Sequence, residues 1–286
     1  MQVIGSVEEM QKTSRALRAE GKRISLVPTM GYLHEGHLSL IRIARENSDA
    51  VIVSHYVNPA QFGPGEDFDS YPRDFNRDYE LCEREAADII FRPSSEGMYL
   101  PDHSVFVVED SLSDLLEGAH RAGHFRGVLT IVAKLFNAAL PDCAIFGSKD
   151  VQQLILIRRM VRDLNFPIEI ISGPTVREHD GLALSSRNAY LSEKQRREAL
   201  VLNRSLMRAR ELYDKGERDA DVIRNTVHET LKEASGSELD YADVVDINSL
   251  RPVKHLDQPA LVVLAVRFGN TRLIDNTVLA ECNIEL

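Results

Sequence analysis

Three cysteines are all the chain offers, Cys82, Cys143 and Cys282, spread over 286 residues. So few thiols, so far apart, exclude a disulfide-stapled scaffold and a cysteine-built metal centre. Positive charge is also scarce: 34 lysines and arginines against 44 aspartates and glutamates leave a net charge of −10. That balance argues against a general nucleic-acid or anionic-membrane surface, so any anion must be met by local donors. No apolar run approaches a membrane span, and Met1 to Arg23 is mixed and charged with no signal-peptide core. A soluble, cytoplasmic protein of a reducing compartment is expected, and the length allows two domains with a sizeable core. Internal repeats and low-complexity tracts are missing too.

The familiar nucleotide fingerprints are likewise missing. Gly31 to Gly36 and Gly118 to Gly123 have the glycine spacing of a phosphate-cradling loop, but His37-Leu38 and His124-Phe125 stand where lysine and a hydroxyl residue are required. Gly63-Pro64-Gly65 lacks the third glycine of a dinucleotide fingerprint, and His34-Glu35 is followed by His37 one position too early for a zinc-binding helix. What is there is the run Pro28-Thr29-Met30-Gly31-Tyr32-Leu33-His34-Glu35-Gly36-His37. It follows an apolar strand-like stretch, Ile24 to Val27, expected to stop at Pro28, and it opens a helix near His37. A helix N-terminus offers free N–H groups and partial positive charge. Glycines at 31 and 36 let the backbone approach a ligand, and histidines three apart share a face. The segment reads as a nucleotide phosphate site.

The first two-thirds alternates strand and helix signals. Strands are expected at 25–27, 50–55, 88–91, 105–108, 144–146 and 168–171, and helices at 38–47, 73–86, 128–140 and 151–164. Short apolar strands separated by helices imply βαβ units and a parallel sheet, with ligands outside the carboxyl ends of the strands. The clusters after three such ends, His34/His37, Asn58–Phe62 and Gly147–Asp150, would then meet in one crevice. Ser172-Gly173-Pro174 reads as a hinge. Beyond it come a capping box, Ser192 with Gln195, a helical stripe from Ala199 to Tyr213, a helix over 221–234, and strands over 239–246, 260–267 and 271–274: a smaller α+β domain.

Two further clusters carry chemistry. Ser185-Ser186-Arg187 pairs hydroxyls with a guanidinium suited to phosphate oxygens, at a junction where a mobile lid is expected. Phe146-Gly147-Ser148-Lys149-Asp150-Val151-Gln152-Gln153 sets a lysine beside an acid and amides. Together with Asn58-Pro59-x-Gln61-Phe62, Tyr71-Pro72-Arg73, Gly123-His124-Phe125-x-Gly127-Val128 and Asp240-Tyr241-x-x-Val244-Val245-Asp246, these blocks resemble, in order and over nearly the whole chain, the pantothenate synthetase (pantoate–β-alanine ligase) family of the nucleotidyltransferase superfamily.

The resemblance implies an α/β protein: a Rossmann-like parallel sheet with helices on both faces over residues 1–175, then a small α+β lid over 176–286. It implies an AMP-forming ligase of coenzyme A biosynthesis, in which pantoate attacks the α-phosphorus of ATP and β-alanine then attacks the pantoyl adenylate. By the same resemblance ATP is held by Met30 through His37 (Gly31, Tyr32, Leu33, His34, Glu35 and Gly36 between them), by Gly147, Ser148, Lys149 and Asp150, and by Val176, Leu184, Ser185, Ser186 and Arg187. His34, His37, Lys149 and Arg187 are the catalytic set, with His37 the proton donor; Gln61 and Gln153 bind pantoate. Mg2+ is expected with ATP, on Asp150 or Asp78, and the family implies a homodimer. His124 is read as orienting a loop, and Glu66-Asp67-Phe68-Asp69 as a solvated loop. Leu184 stands where the family commonly has methionine, and Ser148 where it has a longer polar side chain. The alternative is another small-molecule adenylyl or cytidylyl transferase of the same superfamily.

Overall fold

The inner N-terminal strands are nearly continuous apolar runs, and their successive side chains point to opposite faces and build two cores. In the computed structural model, which describes residues 1–281, these strands form one six-stranded parallel sheet. Cys282 lies outside the described residues. The chain runs β1 (Gln2–Ile4), α1 (Val7–Ala19), β2 (Ile24–Thr29), α2 (Glu35–Asn47), β3 (Ala50–His55), α3 (Phe75–Arg84), β4 (Ile89–Phe91), α4 (Ser95–Met98), α5 (Glu117–His120), α6 (His124–Ala139), β5 (Cys143–Gly147), α7 (Val151–Asp163) and β6 (Glu169–Gly173). Ile24, Leu26, Ile52, Phe91 and Phe146 face one side, against α1, α6 and α7. Val27, Val51, Val53, Ile90 and Ile145 face the other, against α2 and α3. Nearly continuous burial, with successive side chains packing against helices on opposite faces, is the signature of such a sheet.

The strand order β1-β4-β3-β2-β5-β6 reverses direction between β2 and β5. β2 pairs with β3 over six positions but with β5 at only two, Ser25 with Cys143 and Leu26 with Ala144. The two strands then splay, and the crevice opens between their carboxyl ends, as expected at a topological switch point. The same splay explains why Pro28 does not end β2. The Thr29 carbonyl accepts from the Tyr56 N–H, so Pro28 points to the opposite side, where β5 has already diverged and its missing N–H costs no ladder bond.

The C-terminal part follows as α8 (Glu193–Glu198), α9 (Leu200–Asp214), α10 (Ala220–Leu231), β7 (Ser237–Asp246), β8 (Ala260–Phe268) and β9 (Thr271–Leu279). The expected Ser192–Gln195 capping box is formed at α8. The antiparallel sheet β7-β8-β9 is buried on both faces. Val244, Val262, Leu264 and Val266 pack on α9 and α10. Val245, Leu261 and Val263 join the core of the parallel sheet instead. A shared apolar seam of this kind ties the smaller part to the larger.

One further expectation fails, and two elements were not expected. Residues 105–108 form no strand: Val105 and Val108 are exposed, and the Val107 N–H donates to the Thr130 hydroxyl on α6 rather than to a strand. High strand propensity without a neighbouring edge does not make a strand. At the other end, β1 and α1 carried no expectation; β1 is three residues long and takes its identity from pairing with β4.

Candidate active site

The turn after β2 is held by a buried carboxylate. Gly31 and Tyr32 have φ of 79° and 49°. A Cβ on Gly31 would stand 2.5 Å from His55 Nε2, so only glycine fits. Asp78, fully buried on α3, accepts the Tyr32 N–H at 2.6 Å and the Leu33 N–H at 2.8 Å, and its Oδ2 lies 2.9 Å from His55 Nε2. Asp78 is therefore not placed to hold a metal: its oxygens are taken and solvent does not reach it. The same bonds remove the Tyr32 and Leu33 amides from phosphate binding. Gly31 and Leu33 are buried, and Glu35 points outward to Arg42.

His34 caps α2 with its own side chain. Its Nδ1 accepts from the Gly36 N–H at 3.2 Å, while His37 Nδ1 accepts from the His34 N–H at 3.3 Å. This reciprocal capping box uses up amides that the sequence suggests as phosphate donors. It also sets both tautomers. With each Nδ1 accepting, each neutral ring carries its proton on Nε2. Burial, then the nearby Lys149 ammonium, holds His34 down at about 4. Burial and His34 itself hold His37 well below the ordinary 6.5. The ring centroids are 4.1 Å apart, so two imidazolium charges would repel. The pair is neutral, and it acts as two N–H donors.

The crevice encloses about 240 Å³ between Pro28–His37, Asn58–Phe62, Gly147–Asp150 and Pro174–Arg187. It brings together Met30, His34, Gly36, His37, Gln61, Gly147, Lys149, Asp150, Gln153, Val176, Leu184, Ser185, Ser186 and Arg187, as expected from the sequence. Gly31, Tyr32, Leu33, Glu35 and Ser148 do not line it. A second cavity of about 700 Å³ continues from it past Arg121, Gln153 and Arg187 to β9. Gln152, next to Gln153, is buried and bonds to Glu117, Leu112 and Leu115, so it is a framework residue.

Gln61 is aimed by its neighbours. Buried Asn58 donates to Gln61 Oε1 at 3.0 Å and to the Gly127 carbonyl at 3.2 Å, and Gln61 Nε2 is left toward Met30 Sδ at 3.1 Å. His124 donates from Nδ1 to the Gln61 carbonyl at 2.8 Å and accepts from Arg121 at Nε2 at 3.0 Å. It does orient a loop, as the sequence suggests. Burial and the Arg121 charge hold its pKa at about 4.

The segment Glu66–Asp69 is not simply solvated. Glu66 pairs with Arg121 at 2.7 Å, and Asp67 takes Arg187 through both oxygens at 2.9 and 3.1 Å. Asp67 and Arg121 are site residues that sequence reading missed, whereas Asn58 belongs to a cluster expected in the crevice. Asp67 lies 120 positions from its partner, and no local spacing marks it. Ser185 accepts the Arg187 N–H at 3.2 Å, while the Leu184 N–H donates to Val176 at 3.0 Å. A Cβ on Gly36 would stand 3.9 Å from Leu184 Cβ, so the 176–187 segment closes over the start of α2.

His34, His37 and His124 make one prediction. In the unfolded chain each returns to the ordinary value of 6.5. As pH falls below 6.5 the unfolded chain takes up protons that the folded chain refuses, so stability falls through that window and is level above it. The urea midpoint at about pH 5 should lie clearly below that at about pH 7.5. Equal midpoints would contradict the neutral assignment.

Comparison with known proteins decides the family. The family model described as pantoate-beta-alanine ligase matches residues 2–278. The chain belongs to this family. It is 53% identical over 279 residues to a pantothenate synthetase of Thermotoga petrophila, covering 98% of this chain and 100% of that one. It is 52% identical to a Geobacter sulfurreducens pantothenate synthetase, covering 98% and 99%. The crystal structure of pantothenate synthetase from Thermus thermophilus superposes with TM-score 0.92 at 45% identity, covering 97% of this chain and 99% of that one. That of pantoate-beta-alanine ligase from Francisella tularensis, complexed with beta-gamma ATP and beta-alanine, gives 0.80 at 31% identity, covering 97% of both. Members of this family are AMP-forming ligases, and a match across residues 2–278 sets aside the alternative of another adenylyl or cytidylyl transferase.

Proposed function

We propose that this crevice condenses pantoate with β-alanine through a pantoyl adenylate, converting ATP to AMP and pyrophosphate. The observation that carries the reading is the convergence of Nε2–H donors, Lys149 and Arg187 on one side of a crevice whose other side presents an aimed glutamine. The pantoate carboxylate attacks the α-phosphorus, and pyrophosphate leaves with growing negative charge. Positioning and charge neutralisation dominate such transfers. His34 and His37 donate from Nε2, Lys149 bridges phosphate oxygens, and Ser185, Ser186 and Arg187 hold the outer phosphates. Gln61 and Gln153 receive the hydroxyl and carboxylate groups of pantoate. The β-alanine amine then attacks the acyl carbon and AMP departs.

Among the described residues no cluster of three ligating side chains could cage a metal. Mg2+ favours one or two carboxylates plus substrate phosphates, and exposed Asp150 on the crevice wall fits that pattern. Bound there with ATP, Mg2+ would neutralise phosphate charge. We further propose working units of residues 1–175 and 176–286, a cytoplasmic setting, and a homodimer; Leu100, Val105 and Val108 are exposed apolar side chains that such a contact could cover.

Mixed with ATP, pantoate and β-alanine, the protein is expected to release AMP, pyrophosphate and pantothenate in equal amounts. Formation of ADP, or AMP without amide, would overturn the proposal. Gly127 offers a check on the Gln61 end. A Cβ there would stand 2.2 Å from the Ala60 carbonyl oxygen and 2.6 Å from Gln61 Cα, both backbone. Gly127→Ala should destabilise the fold by about 1–3 kcal/mol, as overpacking does, and raise KM for pantoate more than KM for ATP. An unchanged pantoate KM would detach Gln61 from pantoate.

A further inference from the structure

Lys149 lies in a single turn, Ser148–Asp150, between β5 and α7, and no side chain caps the turn or the start of the helix after it. Its hold comes from far along the chain. Asn276, buried on β9, donates from Nδ2 to the Ser148 carbonyl at 3.0 Å and to the Lys149 carbonyl at 2.8 Å. Asn276 is itself fixed on both sides. It pairs with Val263 on β8, and its backbone N–H donates to Asp275 Oδ1 at 2.8 Å. Asp275, also buried, holds Arg177 of the linker through both oxygens at 2.6 and 2.9 Å. Consecutive residues of one strand thus grip the lysine turn and the linker that carries Ser185, Ser186 and Arg187.

We infer that Asn276 is a positioning residue for Lys149: the C-terminal sheet, through this one side-chain amide, sets where the ammonium meets the phosphates. Asparagine suits the task because one nitrogen offers two N–H groups to two carbonyls. Aspartate would present oxygen to oxygen, and alanine would leave both carbonyls without this donor. The inference rests on the proposed reading of Lys149 as a phosphate-bridging residue, and it gives β9 a part in the adenylation step beyond covering the site.

A double-mutant cycle on pantoate-dependent ATP–pyrophosphate exchange tests it. Asn276→Ala should lower kcat for exchange about tenfold, within the range for groups acting through one network, while KM for pantoate stays within about twofold. Added to Lys149→Ala, it should cause no further loss. A loss that multiplies with that of Lys149→Ala, or a drop confined to the thermal midpoint with kcat intact, would overturn the inference. Should Asn276→Ala not fold, Asn276→Ser, which keeps one donor, carries the same cycle. Lys149→Ala leaving exchange intact would instead sink the reading of Lys149, an outcome separable from any behaviour of Asn276.

Discussion

Replacing His37 with alanine is expected to slow pantoate-dependent ATP–pyrophosphate exchange by about 10²–10³, the loss seen when one donor to a developing oxyanion is removed. The imidazole Nε2–H points into the crevice because Nδ1 is tied to the His34 N–H. Loss of the ring also removes half of the capping box, at a cost of about 0.5–2 kcal/mol in stability. The fold should survive, since α2 keeps the His34 cap and buries Leu38, Leu40, Ile41 and Ala44. The resemblance casts His37 as a proton donor, whereas its surroundings keep the ring neutral. A neutral donor works without being protonated. Exchange should therefore stay level between about pH 6 and 8. A rate that falls as pH rises through 7 would restore the imidazolium acid, and near-normal exchange by His37→Ala would remove the residue from the mechanism.

The largest stability effect is expected at Asp78. Asp78→Ala leaves the Tyr32 and Leu33 amides and His55 without their acceptor in a site closed to water. Leaving a buried donor without its acceptor costs about 1–3 kcal/mol per group, so these losses together take a large part of the stability of an ordinary domain. Asp78→Asn keeps the volume and one acceptor oxygen, so it should fold while displacing the turn that carries His34. The informative reading is the Mg2+ requirement of that variant. Because Asp78 holds backbone and not metal, kcat should fall while the half-saturating Mg2+ concentration stays put. A requirement raised tenfold in a folded Asp78→Asn protein would reinstate Asp78 as a metal ligand.

Much of this architecture is legible from local pattern. A short, continuous apolar run marks β3 to the residue, and strand-to-helix alternation announces the parallel sheet that results. His34 and His37 stand out because they fall at the carboxyl end of a strand at the switch point. What pattern does not carry is how donors are used. The Tyr32, Leu33 and Gly36 amides look free in the sequence, yet Asp78 and His34 consume them. Asp67 reads as part of a solvated loop until the fold brings it to Arg187, and Asn276 lies beyond the strand expected over 271–274 until β9 carries it to the Lys149 turn. Val105 to Val108 errs in the opposite sense: propensity suggests a strand where tertiary structure supplies no partner.

The central claim is that one crevice activates pantoate with ATP before β-alanine takes part. Exchange of labelled pyrophosphate into ATP, with β-alanine left out, measures that step alone. Exchange should appear when pantoate is added and vanish when it is withheld. Exchange that ignores pantoate, or none in its presence, would contradict the claim.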